Sequence, residues 1–191
     1  MAGQHTLRET EHAVTQRLDG LPIDTTAMAG VSNVYRAAGA LRNHFEHTVL
    51  APYELTWTGW VVLWVVWVWG DIESRHVAAE AGISKGTLTG VAGTLTGRGL
   101  LDRRIHPDDG RRVLLSLTPA GRRLMTTLFP AFNKQESFVV QTLTANELKV
   151  LTGALRKIVL HLEAQDPAPD PLVPVAATSR RGPKRKPVGA G

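Results

Sequence analysis

The 191-residue chain contains no cysteine. That absence excludes disulfide scaffolds, thiolate zinc sites, cysteine nucleophiles and thiol-based peroxide sensing. It fits a reducing cytoplasm, the expected location. Long apolar runs are missing too. The strongest, Trp60–Trp69, has ten residues, half of the roughly 20 that span a bilayer, so it predicts a buried helix and no membrane partner. Met1–Thr10 is polar and lacks the apolar core of a signal peptide. No Gly-x-Ser-x-Gly, His-Glu-x-x-His, kinase-like set or Gly-x-x-x-x-Gly-Lys-Ser/Thr occurs. The carboxylate pair Asp108-Asp109 lies in a basic turn, so nothing points to an enzyme. Of His44, Glu46 and His47, only the two histidines have useful helical spacing and no further ligand set is visible. No metal or cofactor is expected.

What the chain does have is positive charge, unevenly placed. The net charge is +5 and the isoelectric point is near 10.0, which invites a polyanionic partner. The tail from 165 holds Arg180, Arg181, Lys184, Arg185 and Lys186 against Asp166 and Asp170, a net +3. The body keeps only +2, from 17 basic and 15 acidic residues. Within it, residues 98–123 hold seven arginines against Asp102, Asp108 and Asp109, a local +4.

Periodicity divides the body. Arg8–Leu18 predicts a short helix ending near Gly20 and Pro22. Asp24–Leu50 predicts a long one with Val31, Val34, Ala38, Leu41 and Phe45 on one stripe, stopped by Pro52. Thr56 caps Trp57–Trp69, which Gly70 and Asp71 close. Two short helices follow, Ser74–Ala81 and Ser84–Arg98, with Ser74 and Ser84 as N-caps. Past Gly99 the period changes to that of strands, over Leu100–Ile105 and Val113–Leu117, around a His106–Gly110 turn. Pro119 opens a helix to about Val140, with Pro130 expected to kink it. Thr144 caps Ala145–Ala164, whose Leu148, Leu151, Leu155, Ile158 and Leu162 share a face. Asp166–Gly191 is proline-rich without periodicity and predicts disorder. Its Arg180–Lys186 run reads as a solubilising tail or a minor-groove hook.

Two short helices followed by a basic hairpin describe a winged helix-turn-helix. Three stretches resemble the multiple antibiotic resistance regulators, the MarR family. They are Leu55-Thr56 with Trp60 and Leu63; His76-Val77-Ala78 through Ile83-Ser84-Lys85-Gly86-Thr87-Leu88-Thr89 to Leu95 and Gly99-Leu100-Leu101; and Asp109-Gly110-Arg111 with, after five residues, Leu117-Thr118 and Gly121. The likeness covers about residues 30–164. It implies a mainly α fold with a small β-hairpin wing (α+β). It also implies N- and C-terminal helices that form a dimerisation region, and a homodimer on a palindromic double-stranded operator. Many such proteins release DNA when a small aromatic acid or phenol binds. The expected organisation is an N-terminal extension (1–23), a dimerisation helix (24–50), a winged helix-turn-helix (51–118), C-terminal dimerisation helices (119–164) and a basic tail (165–191).

On the Ser84–Arg98 helix, Leu88, Val91 and Leu95 mark a buried face, while Gly86, Gly90, Gly93 and Gly97 fall opposite. Each glycine costs roughly 0.5–1 kcal/mol relative to alanine; close approach to DNA would offset that cost. The family often has long polar or basic side chains at the positions of Gly90 and Thr94, which this helix lacks. The DNA-contact candidates are Arg75, Ser84, Lys85, Thr87, Thr89, Thr94, Arg98, Arg111 and Arg112, with Asp109 placed to hold Arg111 by an ion pair. Trp57, Trp60, Trp64 and Trp67 share a face that is either core or the wall of a ligand cavity. Arg36, Asn43 and His47, with Arg42 nearby, form a polar stripe that reads as a wet or intersubunit face, or as an anion clamp. The leading function is a ligand-released transcriptional repressor. The alternatives are an architectural DNA-binding protein with little sequence preference, and a small-molecule carrier.

Overall fold

Side-chain caps set the start of six of the seven α-helices among the described residues. In the computed structural model, which describes residues 5–165, Thr6, Asp24, Thr56, Ser84, Thr118 and Thr144 each accept a backbone N–H from three residues on, satisfying a donor the helix cannot pair internally. These caps open α1 (Leu7–Arg17), α2 (Thr25–Phe45), α3 (Trp57–Trp69), α5 (Lys85–Gly97), α6 (Pro119–Val140) and α7 (Ala145–Glu163). The exception is α4 (Ser74–Glu80), where the expected cap Ser74 is the first helical residue. Glu73 occupies the cap position without a side-chain bond to the helix backbone; its carboxylate faces two arginines instead, Arg75 of α4 itself and Arg112 of the sheet.

The helix predicted to end at Leu50 changes winding before it stops. Glu46–Leu50 is π-helical, Ala51–Tyr53 makes a 3-10 turn around Pro52, and Glu54 closes the tract with a left-handed φ of 51°. The axis turns by 76° between Thr25–Tyr53 and α3. No single helix among the described residues is long and apolar enough to cross a membrane.

The chain divides into two compact units, one through Gln141 and one from Thr142. In the first, α3 is the centre of the core, burying Trp60, Val62, Leu63, Val65 and Val66. Its tryptophan face packs on α6. Trp60 and Phe45 each stack on Phe132 at 4.4 Å, and Trp64 stacks on Phe129 at 5.0 Å, separations favourable for aromatic pairs.

A third strand joins the predicted hairpin. The strands β1 (Ile72–Glu73), β2 (Leu101–His106) and β3 (Asp109–Leu117) form an antiparallel sheet in the order β1-β3-β2. Two residues carry no strand periodicity of their own. Ile72 and Glu73 become a strand only because Leu115 and Leu114 lie opposite. The hairpin is also longer than expected, with only Pro107 and Asp108 between its strands. Its register jumps: Ile105 pairs with Val113, but His106 pairs with Asp109. Gly110, Arg111 and Arg112 therefore sit in a bulge without opposite partners.

Close approach fixes one glycine. A Cβ on Gly121 would lie 2.1 Å from the Leu100 carbonyl oxygen, so only glycine lets α6 start against the sheet.

In the second unit, the Thr144–Glu147 capping box starts α7, and no residue of the helix is buried. Leu151, Leu155, Ile158 and Leu162 are all exposed in the single chain. The tail predicted from 165 lies, apart from Gln165, outside the described residues.

Candidate nucleic-acid interface

The second helix of the helix-turn-helix, α5, presents a smooth face. It packs through Leu88, Ala92 and Leu95, so the buried stripe is centred one residue beyond the predicted Val91, which is half-buried. Ser84, Lys85, Gly86, Thr87, Thr89, Gly90, Gly93, Thr94 and Gly97 are exposed. Open space surrounds Gly90, Gly93 and Gly97. The threonine hydroxyls turn inward: Thr89 Oγ1 donates to the Lys85 carbonyl at 2.9 Å and Thr94 Oγ1 to the Gly90 carbonyl at 3.1 Å. Thr87 Oγ1 shares a 2.8 Å bond with Ser84 Oγ. With those bonds made locally, the outward edge of the helix is mostly methyl groups and bare backbone.

A cleft of about 320 Å³ separates α5 from the sheet and is strongly cationic, with Arg75, Lys85, Arg103, Arg111 and Arg112 in its lining. These cations differ in their freedom. Glu73, only 14% exposed, lies between two of them: Oε1 accepts from Arg112 Nη1 at 3.3 Å, and Oε2 is 2.8 Å from Arg75 Nε without hydrogen-bond alignment. Arg112 Nε also meets Asp109 Oδ2 at 3.0 Å. The predicted Asp109–Arg111 ion pair is therefore replaced by Asp109–Arg112. The bulge explains the exchange, since Asp109 Oδ1 accepts the backbone N–H of Arg111 at 3.0 Å. Among the described residues, Lys85, Arg103 and Arg111 make no ion pair.

Arg98, at the end of α5, is engaged elsewhere. Its guanidinium donates to the carbonyls of Tyr53 at 2.7 Å and Glu54 at 2.8 Å. Arg104 likewise pairs with Asp71. Sequence reasoning missed Glu73, because its partners lie 2 and 39 residues away and meet only through β1.

The expected ligand residues do not converge within the single chain. Arg36 faces α1, 3.6 Å from Glu11, and stands nine residues before Phe45, about 14 Å along the helix. Arg42 Nε is 3.7 Å from Glu46 Oε1, which also accepts the Trp57 backbone N–H at 2.8 Å. Asn43 and His47 are exposed, Trp60 is buried, and Trp57 and Trp64 are half-buried. His44 instead hydrogen-bonds Gln135 at 2.9 Å and stacks on Phe138.

Residues 55–113 match the model of the MarR family. The HTH-type transcriptional regulator YwaE of Bacillus subtilis (strain 168) is 36% identical over 159 residues, 82% of this chain and 93% of that protein. Among solved structures, Bordetella bronchiseptica BpsR, whose DNA binding is regulated by 6-hydroxynicotinic acid, is 27% identical. Its TM-score is 0.62, over 68% of this chain and 98% of BpsR. The Streptomyces coelicolor regulator PcaV, in complex with its natural ligand, is 25% identical with a TM-score of 0.59, over 73% of this chain and 97% of PcaV. The wing, the capped helix-turn-helix and these likenesses agree: the chain belongs to the MarR family of winged-helix transcriptional regulators.

Proposed function

We propose that the chain acts as a homodimeric repressor on a palindromic operator, released by a small aromatic acid or phenol. The observation that carries the DNA reading is the juxtaposition of the smooth α5 face with Lys85, Arg103 and Arg111, cations that make no ion pair among the described residues, at the cleft beside it. Phosphate contacts supply affinity and base edges supply sequence preference. Ser84, Lys85, Thr87, Thr89 and Thr94 are the proposed contacts from α5, and Arg111 is the minor-groove contact from the wing. Arg75, Arg98 and Arg112 position these elements.

Dimerisation is supported by apolar residues the single chain leaves bare. On α2, Val31 is 57% and Tyr35 is 76% exposed; α7 carries a further bare face. Patches of this kind mark interaction sites. A second copy covers them and sets the two α5 helices about one helical turn of DNA apart.

The effector class rests on BpsR and its 6-hydroxynicotinic acid. In this chain the proposed receptor is the region of Arg42, Asn43, His47 and Trp57, with Trp60, Trp64 and Arg36 at its margins. Binding acts on DNA only through different affinity for two dimer geometries. The test is selection of bound fragments from random duplex, followed by titration of aromatic acids with tryptophan fluorescence and operator occupancy read together. Quenching accompanied by release is the expected result; quenching without release refutes the switch. The glycine face of α5 favours one second reading, an architectural protein, for which operator and random duplex bind alike at one salt concentration.

A further inference from the structure

We propose that Glu73 sets the DNA preference of this regulator by withholding Arg75 and Arg112 from phosphate; the inference rests on the DNA-binding reading above. Glu73 occupies a place where three elements meet. Its backbone pairs with Leu114 in the sheet and forms the N-cap position of α4. Its side chain, 14% exposed, faces the cationic cleft beside α5. The ion pairs run as a ladder, Arg75–Glu73–Arg112–Asp109, with contacts of 2.8, 3.3 and 3.0 Å. Two positive and two negative groups cancel within it.

Without that ladder the cleft would offer five cations to a polyanion; with it, three remain. The difference bears on selectivity more than on total affinity. Guanidinium contacts to phosphate strengthen binding to every sequence alike. The smooth face of α5 has few long side chains with which to outweigh such a background. A carboxylate that ties up two arginines lowers the non-specific term and leaves Arg111 as the free guanidinium of the wing bulge. Glu73 is thus a positioning residue, acting through Arg75 and Arg112, with no DNA contact of its own.

The experiment compares the full-length wild type with Glu73→Gln and with the triple variant Glu73→Gln/Arg75→Gln/Arg112→Gln. Affinity for a selected operator and for random duplex is measured from low to moderate salt, with folding followed by circular dichroism. Glu73→Gln is expected to steepen the slope of log affinity against log salt on random duplex. The change is about 2 for a dimer with Arg75 freed, and up to about 4 where phosphate also draws Arg112 from Asp109, at roughly 0.9 per new phosphate contact. The operator-to-random ratio should fall on the order of tenfold. The triple variant, neutral at all three positions, should return the slope to the wild-type value, an outcome that damage to the wing would not produce. An unchanged or shallower slope in Glu73→Gln overturns the proposal, as does a triple variant that stays as steep. A wild type that binds neither duplex instead sinks the DNA-binding reading itself, so the two failures are distinct.

Discussion

Arg98 donates from Nη1 to the carbonyl oxygen of Glu54, 44 residues earlier in the chain, at 2.8 Å. The bond ties the last turn of α5 to the left-handed corner that ends the α2 tract. It orients α5, the helix proposed to face DNA, relative to α2, whose Val31 and Tyr35 are exposed in the single chain. Arg98→Ala is expected to cost about 1 kcal/mol, less than the roughly 1.5–3 kcal/mol of buried bonds to charged groups because the side chain is exposed. Operator affinity should fall further than that cost explains. Urea midpoints and binding isotherms check both, and Arg98→Lys should recover only part, since an ammonium cannot fork to two carbonyls in the same way.

Arg111 and Arg112 are neighbours with opposite proposed duties. Arg111→Ala should lower operator affinity at least about tenfold while leaving unfolding free energy within about 0.5 kcal/mol, as for other exposed substitutions. Arg112→Ala should do the reverse in part, loosening the wing by exposing the Glu73 and Asp109 carboxylates to each other. Unchanged operator binding in Arg111→Ala, with an intact fold, removes the wing assignment.

Two glycines separate fold from function. Gly93 faces open space in the middle of a helix, so Gly93→Ala should stabilise the protein by about 0.5–1 kcal/mol. The same methyl should weaken operator binding, because it stands on the face proposed to approach the groove. Gly121→Ala should destabilise by about 3 kcal/mol, since its Cβ would meet backbone that cannot move aside. Thermal melts paired with binding curves test the contrast; a Gly93→Ala protein with full operator affinity argues against close approach.

Much of this architecture was legible in the sequence. Ser84 and Thr118 announce their helices because a cap is a local signal, and the glycine face of α5 follows from spacing alone. β1 was not legible, since two residues become a strand only when Leu114 and Leu115 arrive beside them. The Asp109–Arg111 pairing looked natural from spacing, but a bulge decides which side chain turns back, and that depends on cross-strand register. The tryptophan face was visible; its partners Phe129 and Phe132 were not, because periodicity does not say which helix lies opposite. The proposed effector residues suffer the same limit. A stripe on α2 spans more length than one small ligand.

As on α1, where Glu9 makes the same box with Thr6, acid should act on α7. Its Glu147 carboxyl is held below its ordinary value of 4.5, chiefly by the Thr144 backbone N–H and then by the Thr144 hydroxyl. A lowered folded value means the stabilisation is present above about pH 4.5 and is lost as pH falls through the folded value. Helicity and dimer content should both decline below that point, and Glu147→Gln should flatten the dependence. Circular dichroism and light scattering between pH 6 and pH 3 provide the check.

The open backbone of α5 also bears on how such a regulator changes its target. Positions 86, 90, 93 and 97 carry no side chain, while Leu88, Ala92 and Leu95 hold the helix in place. The residues that hold the fold and those proposed to face DNA are therefore separate positions along one helix. A substitution at Gly90, Gly93 or Gly97 places its new side chain in open space and leaves the core packing of the helix as it is.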